Sequence, residues 1–391
     1  MRARMRHIVL IGERMFKRIL LGTTALLTSG LFATAAHAAD GIKLTLGGFF
    51  RTAIQGNIDN NGKNDLGHGF DSTGVFSDAE IYFLGRTTLD NGLTIGTRVE
   101  LEGEQKDGDQ IDAAYVYFQG GMGEVRIGSQ YGALGTMCVT PPGGTNNFGA
   151  FSQDEFIGNA FNGWSAGVCN SIDAFRNEGA RDKSQKIVYM SPSFGGFQLS
   201  FSWAPNGAHE STGVSNGHTV MPTHEPEDQR HVVDAYANYS HDFDGWGLSW
   251  GGGGSWTLQD GHSAPNNDKG AAYQSGLNLT FGDFSIGGAG EYYKNSMAPN
   301  QDVWVVDGGA SYKIAEAWTV GLQYSFSDFQ FIAPNVDRRI NLFVATAQYD
   351  MGPGIALDAM MQFGWVKADE QDKDANNYTT YGIGIGTSFD F

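Results

Sequence analysis

An all-β fold, a transmembrane antiparallel up-and-down barrel of sixteen strands, is predicted by three observations. The first is composition: 56 of 391 residues are glycine, 13% are aromatic and 17% are charged. Glycine therefore stands at about twice its usual share of roughly 7%, and the strong helix formers do not dominate. The second is period-two alternation of apolar and polar side chains over sixteen segments. The third is that the connections between these segments alternate between short and long.

Leu93–Glu102 illustrates the alternation. Its odd positions are Leu, Ile, Thr, Val and Leu, and its even positions are Thr, Gly, Arg, Glu and Glu. Side chains point alternately to the two faces of a strand, so this segment has one apolar and one charged face. The same pattern sets Ile42, Leu44, Leu46, Phe50 and Ile54 against Lys43, Thr45, Arg51 and Gln55, and Ile81 and Phe83 against Glu80 and Arg86. The sixteen predicted strands cover 41–56, 76–90, 93–104, 111–120, 124–132, 184–194, 197–205, 230–243, 247–258, 270–283, 284–295, 302–314, 318–328, 338–351, 354–367 and 377–391. Most exceed the 5–6 residues typical of globular strands. Turns such as Asp90-Asn91-Gly92 and Asp244-Gly245-Trp246 are short, whereas 57–75, 133–183 and 206–229 are long and polar. Strict alternation of the two kinds describes a barrel with one tight end and one ragged end.

The chemistry of the two faces places the barrel in a membrane. Lipid-crossing strands of about 9–11 residues turn the apolar face outward and keep charge inside. The barrel must close because an open edge in lipid leaves amides unpaired at several kcal/mol each. Tyr292, Tyr293, Trp304, Tyr312, Trp318, Trp365 and Tyr381 fall towards strand ends, where interfacial aromatic girdles belong. Arg51, Arg86, Arg98 and Arg126 share the non-apolar face with Glu80 and Glu100. An arginine on the lipid face at mid-membrane costs about 2–4 kcal/mol, so the lumen is where they belong.

Residues 1–38 read as a Sec-type signal peptide, with 39–391 forming the barrel. Arg2, Arg4, Arg6, Arg14, Lys17 and Arg18 precede an apolar stretch that closes on Ala36-His37-Ala38. An uncleaved anchor is the alternative, and Met15 offers a second start. Removing this segment takes the formal charge from −18 to −23. So acidic a chain lacks the basic face that a nucleic-acid backbone requires, which excludes nucleic acid as a partner.

The opening Leu44-Thr45-Leu46-Gly47-Gly48-Phe49-Phe50, the long insert after the fifth strand and the closing Tyr381–Phe391 together resemble the general diffusion porins of Gram-negative bacteria. The resemblance implies an outer-membrane homotrimer passing small hydrophilic solutes. It also implies contact with outer-membrane lipid and lipopolysaccharide, and no cofactor or enzymatic activity. Tyr381, Ile383, Ile385, Phe389 and Phe391 match the family's C-terminal assembly signal, read by the barrel-assembly machinery. The insert 133–183 corresponds to the third external loop, which folds inward as a constriction. It departs from many members in lacking a Pro-Glu-Phe-Gly stretch; Phe148-Gly149 and Asp154-Glu155-Phe156 are partial echoes. Asp154 and Glu155 are its candidate acidic tip, opposite the arginine wall, and with the net charge they predict weak cation selectivity. Both cysteines, Cys138 and Cys169, lie in this insert, and an oxidising compartment favours one disulfide over two free thiols.

Other constellations are weaker. His209, His218, His224, Glu225, Glu227, Asp228 and His231 crowd one long connection without metal-ligand spacing, and Asp59–Asp65 only echoes a calcium loop. No metal site is assigned. A substrate-specific channel is the alternative function. A sugar channel would need more lumen aromatics than Tyr82, Tyr115 and Tyr117, and a phosphate channel more than 25 basic residues. A barrel enzyme would need a Ser/His or Asp/His constellation; G-x-S-x-G occurs at 163–167, 213–217 and 247–251, in predicted connections or within a predicted strand and never at a strand-to-helix turn, and no H-E-x-x-H occurs.

Overall fold

The computed structural model describes residues 41–59, 73–103, 111–150, 167–169, 183–206, 214–215, 218–219, 230–259, 270–294, 301–331, 337–368 and 378–391. The proposed signal peptide, Asp154, Glu155 and most of the histidine-rich connection lie outside these residues.

The strands are β1 (Lys43–Asp59), β2 (Thr73–Thr88), β3 (Thr94–Glu102), β4 (Ile111–Gly120) and β5 (Gly123–Gln130), followed by a short helix α1 (Ala133–Met137). Next come β6 (Ser184–Met190), β7 (Phe197–Asn206), a small hairpin of β8 (Val214–Ser215) and β9 (His218–Thr219), β10 (Arg230–Phe243) and β11 (Trp246–Gln259). The chain ends with β12 (Ala271–Phe281), β13 (Phe284–Lys294), β14 (Gln301–Ala315), β15 (Trp318–Phe331), β16 (Arg338–Gly352), β17 (Ile355–Ala368) and β18 (Tyr378–Asp390). Setting aside the hairpin, sixteen strands pair antiparallel with their chain neighbours, and β1 pairs with β18 to close the barrel. The predicted strands are thereby reproduced to within a few residues. Gly251–Gly254, which breaks the alternation in sequence, lies within a continuous β11.

Local chemistry explains the short turns. In the β2–β3 turn the side chain of Asn91 accepts from the Leu93 amide at 3.0 Å, and Gly92 takes φ 82°. Gly245 takes φ 83° between β10 and β11. These are left-handed conformations that glycine adopts without a Cβ penalty. The closing seam is completed by reciprocal backbone bonds of 3.0 Å between Gly48 and Phe391.

Burial is inverted relative to a soluble protein. Ile383 and Ile385 are each 64% exposed, whereas Glu291, Asp307 and Gln362 are buried inside the barrel. Outward aromatics form two belts. At the long-connection end, Tyr273 stacks on Tyr292, which stacks on Trp304 at 4.3 Å, and Phe363 meets Trp365 and Tyr381. At the short-turn end lie Phe243 stacked on Trp246 and Trp318 beside Tyr349. Tyr293 corrects the sequence reading. It points inward and is buried, because its neighbour Tyr292 occupies the lipid face.

Candidate functional site

The interior has two unlike walls. On β1–β5 the inward side chains are charged and lie flat against aromatic rings. The Arg51 guanidinium sits 4.1 Å above the Phe49 ring, Arg98 4.1 Å above Tyr82, and Arg126 5.3 Å from Tyr115. Contacts of this kind are worth about 0.5–2 kcal/mol each and hold a long side chain in place. Each of the last two arginines also meets a carboxylate on its own strand: Arg98 pairs with Glu100, and Arg126 with Glu124. Residues two apart on a strand face the same way, so the alternation itself creates these pairs.

Cross-strand register gathers a second group. Glu80 lies opposite Glu102, and Glu100 opposite Ala113, where a register shift at the β3–β4 pairing brings in Asp112. Oxygens of Glu80, Glu100 and Asp112 come within 4.8 Å of one another. Lys183, just before β6, pairs with Asp112 and reaches over the Tyr131 ring at 4.7 Å. Lys183 and Arg98 supply next to these carboxylates the positive charge that a cation would otherwise bring.

The wall from β7 round to β18 is covered by chain. Leaving β5, residues 133–150 enter the barrel and run along its inner surface. The Ala133 amide donates to Ser202 Oγ at 3.1 Å, and Ser202 donates to Asp234 at 2.7 Å. Farther on, Gln274 donates to the Val139 carbonyl at 3.1 Å, Asn278 to that of Thr140 at 2.8 Å and Thr346 to that of Gly143 at 2.6 Å. Asn146 donates to Ser388 at 2.9 Å, Asn147 to Asp358 at 2.5 Å, and the Ala150 amide to Gln323 at 2.8 Å. The returning piece is tied likewise, with the Val168 amide donating to Asp307 at 2.5 Å and that of Cys169 to Glu291 at 3.0 Å. A disulfide joins Cys138 to Cys169, with Cα atoms 6.0 Å apart. Non-helical backbone is stable at this depth because wall side chains satisfy its amides and carbonyls.

A small apolar core fills the gap between segment and wall. Phe148, Ala150 and Val168 from the segment pack with Tyr293, Val303, Val305, Phe329, Ile340, Leu342, Val344, Met360 and Val366, and the disulfide lies against it. These wall residues point inward, where alternation alone would place polar groups.

The Gram-negative porin family model matches residues 22–371. The chain belongs to this family. Its place is the outer membrane. The monosaccharide porin of a Halomonas species is 27% identical over 210 residues, 51% of this porin and 52% of that relative. The chain thus spans about half the length of that curated relative. By structure, the anion-selective porin from Comamonas acidovorans superposes with a TM-score of 0.59 at 17% identity, covering 90% of this chain and all of that one. In vitro folded OmpT of Vibrio cholerae, in its trimer form, gives 0.57 at 12% identity, with coverage of 90% and 100%.

Of the residues singled out from the porin's sequence, Arg51, Glu80, Arg98, Glu100 and Arg126 share the inner face of β1–β5. Arg86 is on the same face at the short-turn end, exposed, opposite Gly96 and Lys43. Tyr381, Ile383, Ile385 and Phe389 point outward from β18, with Phe391 just beyond it. Sequence reasoning missed Asp112, Glu124 and Lys183, and every anchor of the inserted segment. One signal was available for its core. Val303-Trp304-Val305-Val306 and Ile340–Val344 carry apolar side chains on both faces, which a strand bathed by a lumen has no reason to do.

Proposed function

We propose that this porin forms a homotrimer of water-filled channels for passive diffusion of small hydrophilic solutes and ions, with a weak preference for cations. In this reading the insert 133–183 is the constriction, and solutes pass between it and the charged wall of β1–β6. The carrying observation is the asymmetry of the interior. One wall is sealed by anchored chain, while the other presents charges held in fixed positions, suited to ordering water and polar solutes across a narrow passage.

Charge pairing supports the sign. Arg98, Arg126 and Lys183 each have a carboxylate partner, so the basic wall is close to neutral locally. The charge of −23 on residues 39–391 then decides which ions gather at the mouths. The Debye length of about 10 Å at 0.1 M salt keeps the preference modest. Anion selectivity in the Comamonas relative is no obstacle, because selectivity follows charge placement and not the fold. A zero-current potential across a KCl gradient tests the sign. Potassium preference is expected, reduced by Asp154→Asn with Glu155→Gln; chloride preference, or a double variant like the parent, rejects the reading.

The trimer is supported by a gap in the aromatic belt among the described residues. Among the described residues, the large exposed side chains at the long-connection end of β1–β5 are aliphatic, namely Ile54, Val75, Ile111 and Ile127. Aromatic belts mark contact with lipid headgroups, and a face buried against another copy has no use for one. In the same reading residues 1–38 are removed on export, the outward residues of β18 engage the assembly machinery, and lipopolysaccharide and lipid surround the remaining face. A monosaccharide-specific channel is the second reading, favoured by the Halomonas relative. Against it, the faces of Tyr82 and Tyr115 are occupied by arginines, leaving less open ring for a sugar to stack on. Saturable block of conductance by a monosaccharide would favour specificity.

A further inference from the structure

We propose that a track of inward-facing glycines sets how far the inserted segment stands from the wall, and thereby sets the channel's exclusion size. The segment crosses the wall where the strands lack side chains. A Cβ on Gly276 would lie 2.2 Å from the Val139 carbonyl oxygen, one on Gly309 1.9 Å from that of Pro142, and one on Gly321 2.0 Å from that of Gly143. On β18, a Cβ on Gly384 would meet the Phe148 ring at 2.8 Å. Four strands thus contribute one glycine each, at successive points of a single path from Val139 to Phe148. None of the four has a left-handed φ, so backbone conformation does not require glycine there. Close approach does.

The first three neighbours are backbone atoms, which cannot rotate aside. Ordinary contact of a Cβ with such an atom begins at 3.4 Å, so one methyl group pushes the segment off the wall by roughly 1.2–1.5 Å. The segment is retained on both sides of Pro142 and Gly143, by Ser202, Gln274 and Asn278 before them and by Ser388 and Asp358 after them, while Thr346 holds the Gly143 carbonyl itself. It therefore yields towards β1–β6, into the passage. Wall glycines act as positioning residues: they touch no solute, but they decide how much of the lumen the segment leaves open.

This inference rests on the reading of the insert as a constriction. The test compares the parent with Gly309→Ala, Gly321→Ala and the pair, in planar bilayers and in liposomes challenged with sugars of increasing size. Gly308→Ala is the control, since its Cβ points to the opposite face and finds nothing nearer than 3.9 Å. Expected are a loss of conductance and a lower size limit, greater for the pair than for either single variant, with the control like the parent. Variants that show the heat-modifiable gel shift of a folded barrel but keep parental conductance overturn the proposal. So does a rise in conductance, or an equal loss in the control. If the alanine pair does not fold, Gly384→Ala gives the same reading opposite a ring: its loss of conductance is reversed by Phe148→Ala in the same chain, and absence of reversal overturns the proposal. A parent that does not conduct removes the constriction reading itself, whereas a conducting parent with unaltered variants removes this inference alone.

Discussion

The wall of β1–β6 and the wall of β7–β18 are built on one plan, alternating strands with apolar side chains turned to lipid, yet they use their inner faces in opposite ways. On the first, carboxylates pair with arginines and lysine and remain beside the passage. On the second, Asp307, Glu291 and Asp358 receive hydrogen bonds from the inserted chain and are buried beneath it. An acidic residue facing the lumen is therefore not by itself a selectivity residue. What it faces decides whether it acts on ions or on backbone amides.

The largest difference between the walls should appear in stability. Phe148→Ala empties a fully buried position of the inner core and should cost about 3–5 kcal/mol, read as a lower urea midpoint of the micelle-folded barrel. A loss below about 1 kcal/mol, the size typical of exposed sites, would mean that segment and wall do not share a core. Next comes reduction of the disulfide. Cys138 and Cys169 close a loop of 31 residues, for which the chain-entropy argument gives about 3–4 kcal/mol. The bond is checked by alkylating the unreduced, denatured protein, which should leave both sulfurs unlabelled.

Asp307→Ala follows. It leaves the Val168 amide without this charged acceptor, a loss of about 1.5–3 kcal/mol, with a small effect on ion selectivity because the carboxylate is covered. Arg126→Ala on the first wall should do the reverse. Its stability cost stays within about 1 kcal/mol, as for a partly exposed ion pair, while the reversal potential shifts towards greater cation preference as Glu124 loses its cationic partner and keeps only the Gln119 amide. If Asp307→Ala shifted selectivity more than Arg126→Ala, the division of labour between the walls would be wrong.

Legibility in the sequence follows the same division. Strand positions, the face to which each side chain turns and the arginine–carboxylate wall were readable, because a strand repeats every two residues and lipid rejects charge on one of the two faces. Arg98 and Glu100 meet through that local rule. Asp112 and Lys183 needed the register shift at the β3–β4 pairing, and Tyr293 needed the inserted chain to pack against it. The partial echo at Phe148-Gly149 proved to be the segment's main apolar contact, although its role follows from the wall opposite.

By itself the sequence determined the sixteen strands, their alternating connections, the closed barrel and the outward apolar surface. These follow from pairs of residues close in the chain and from the single requirement that backbone amides in lipid be satisfied. Only the tertiary structure decided where the inserted segment lies, which carboxylates it consumes and why glycine recurs along its path. Most of those contacts join residues more than 120 positions apart, such as Val168 with Asp307 or Pro142 with Gly309. Their physical basis is steric and hydrogen-bond complementarity between two surfaces, which no local period encodes.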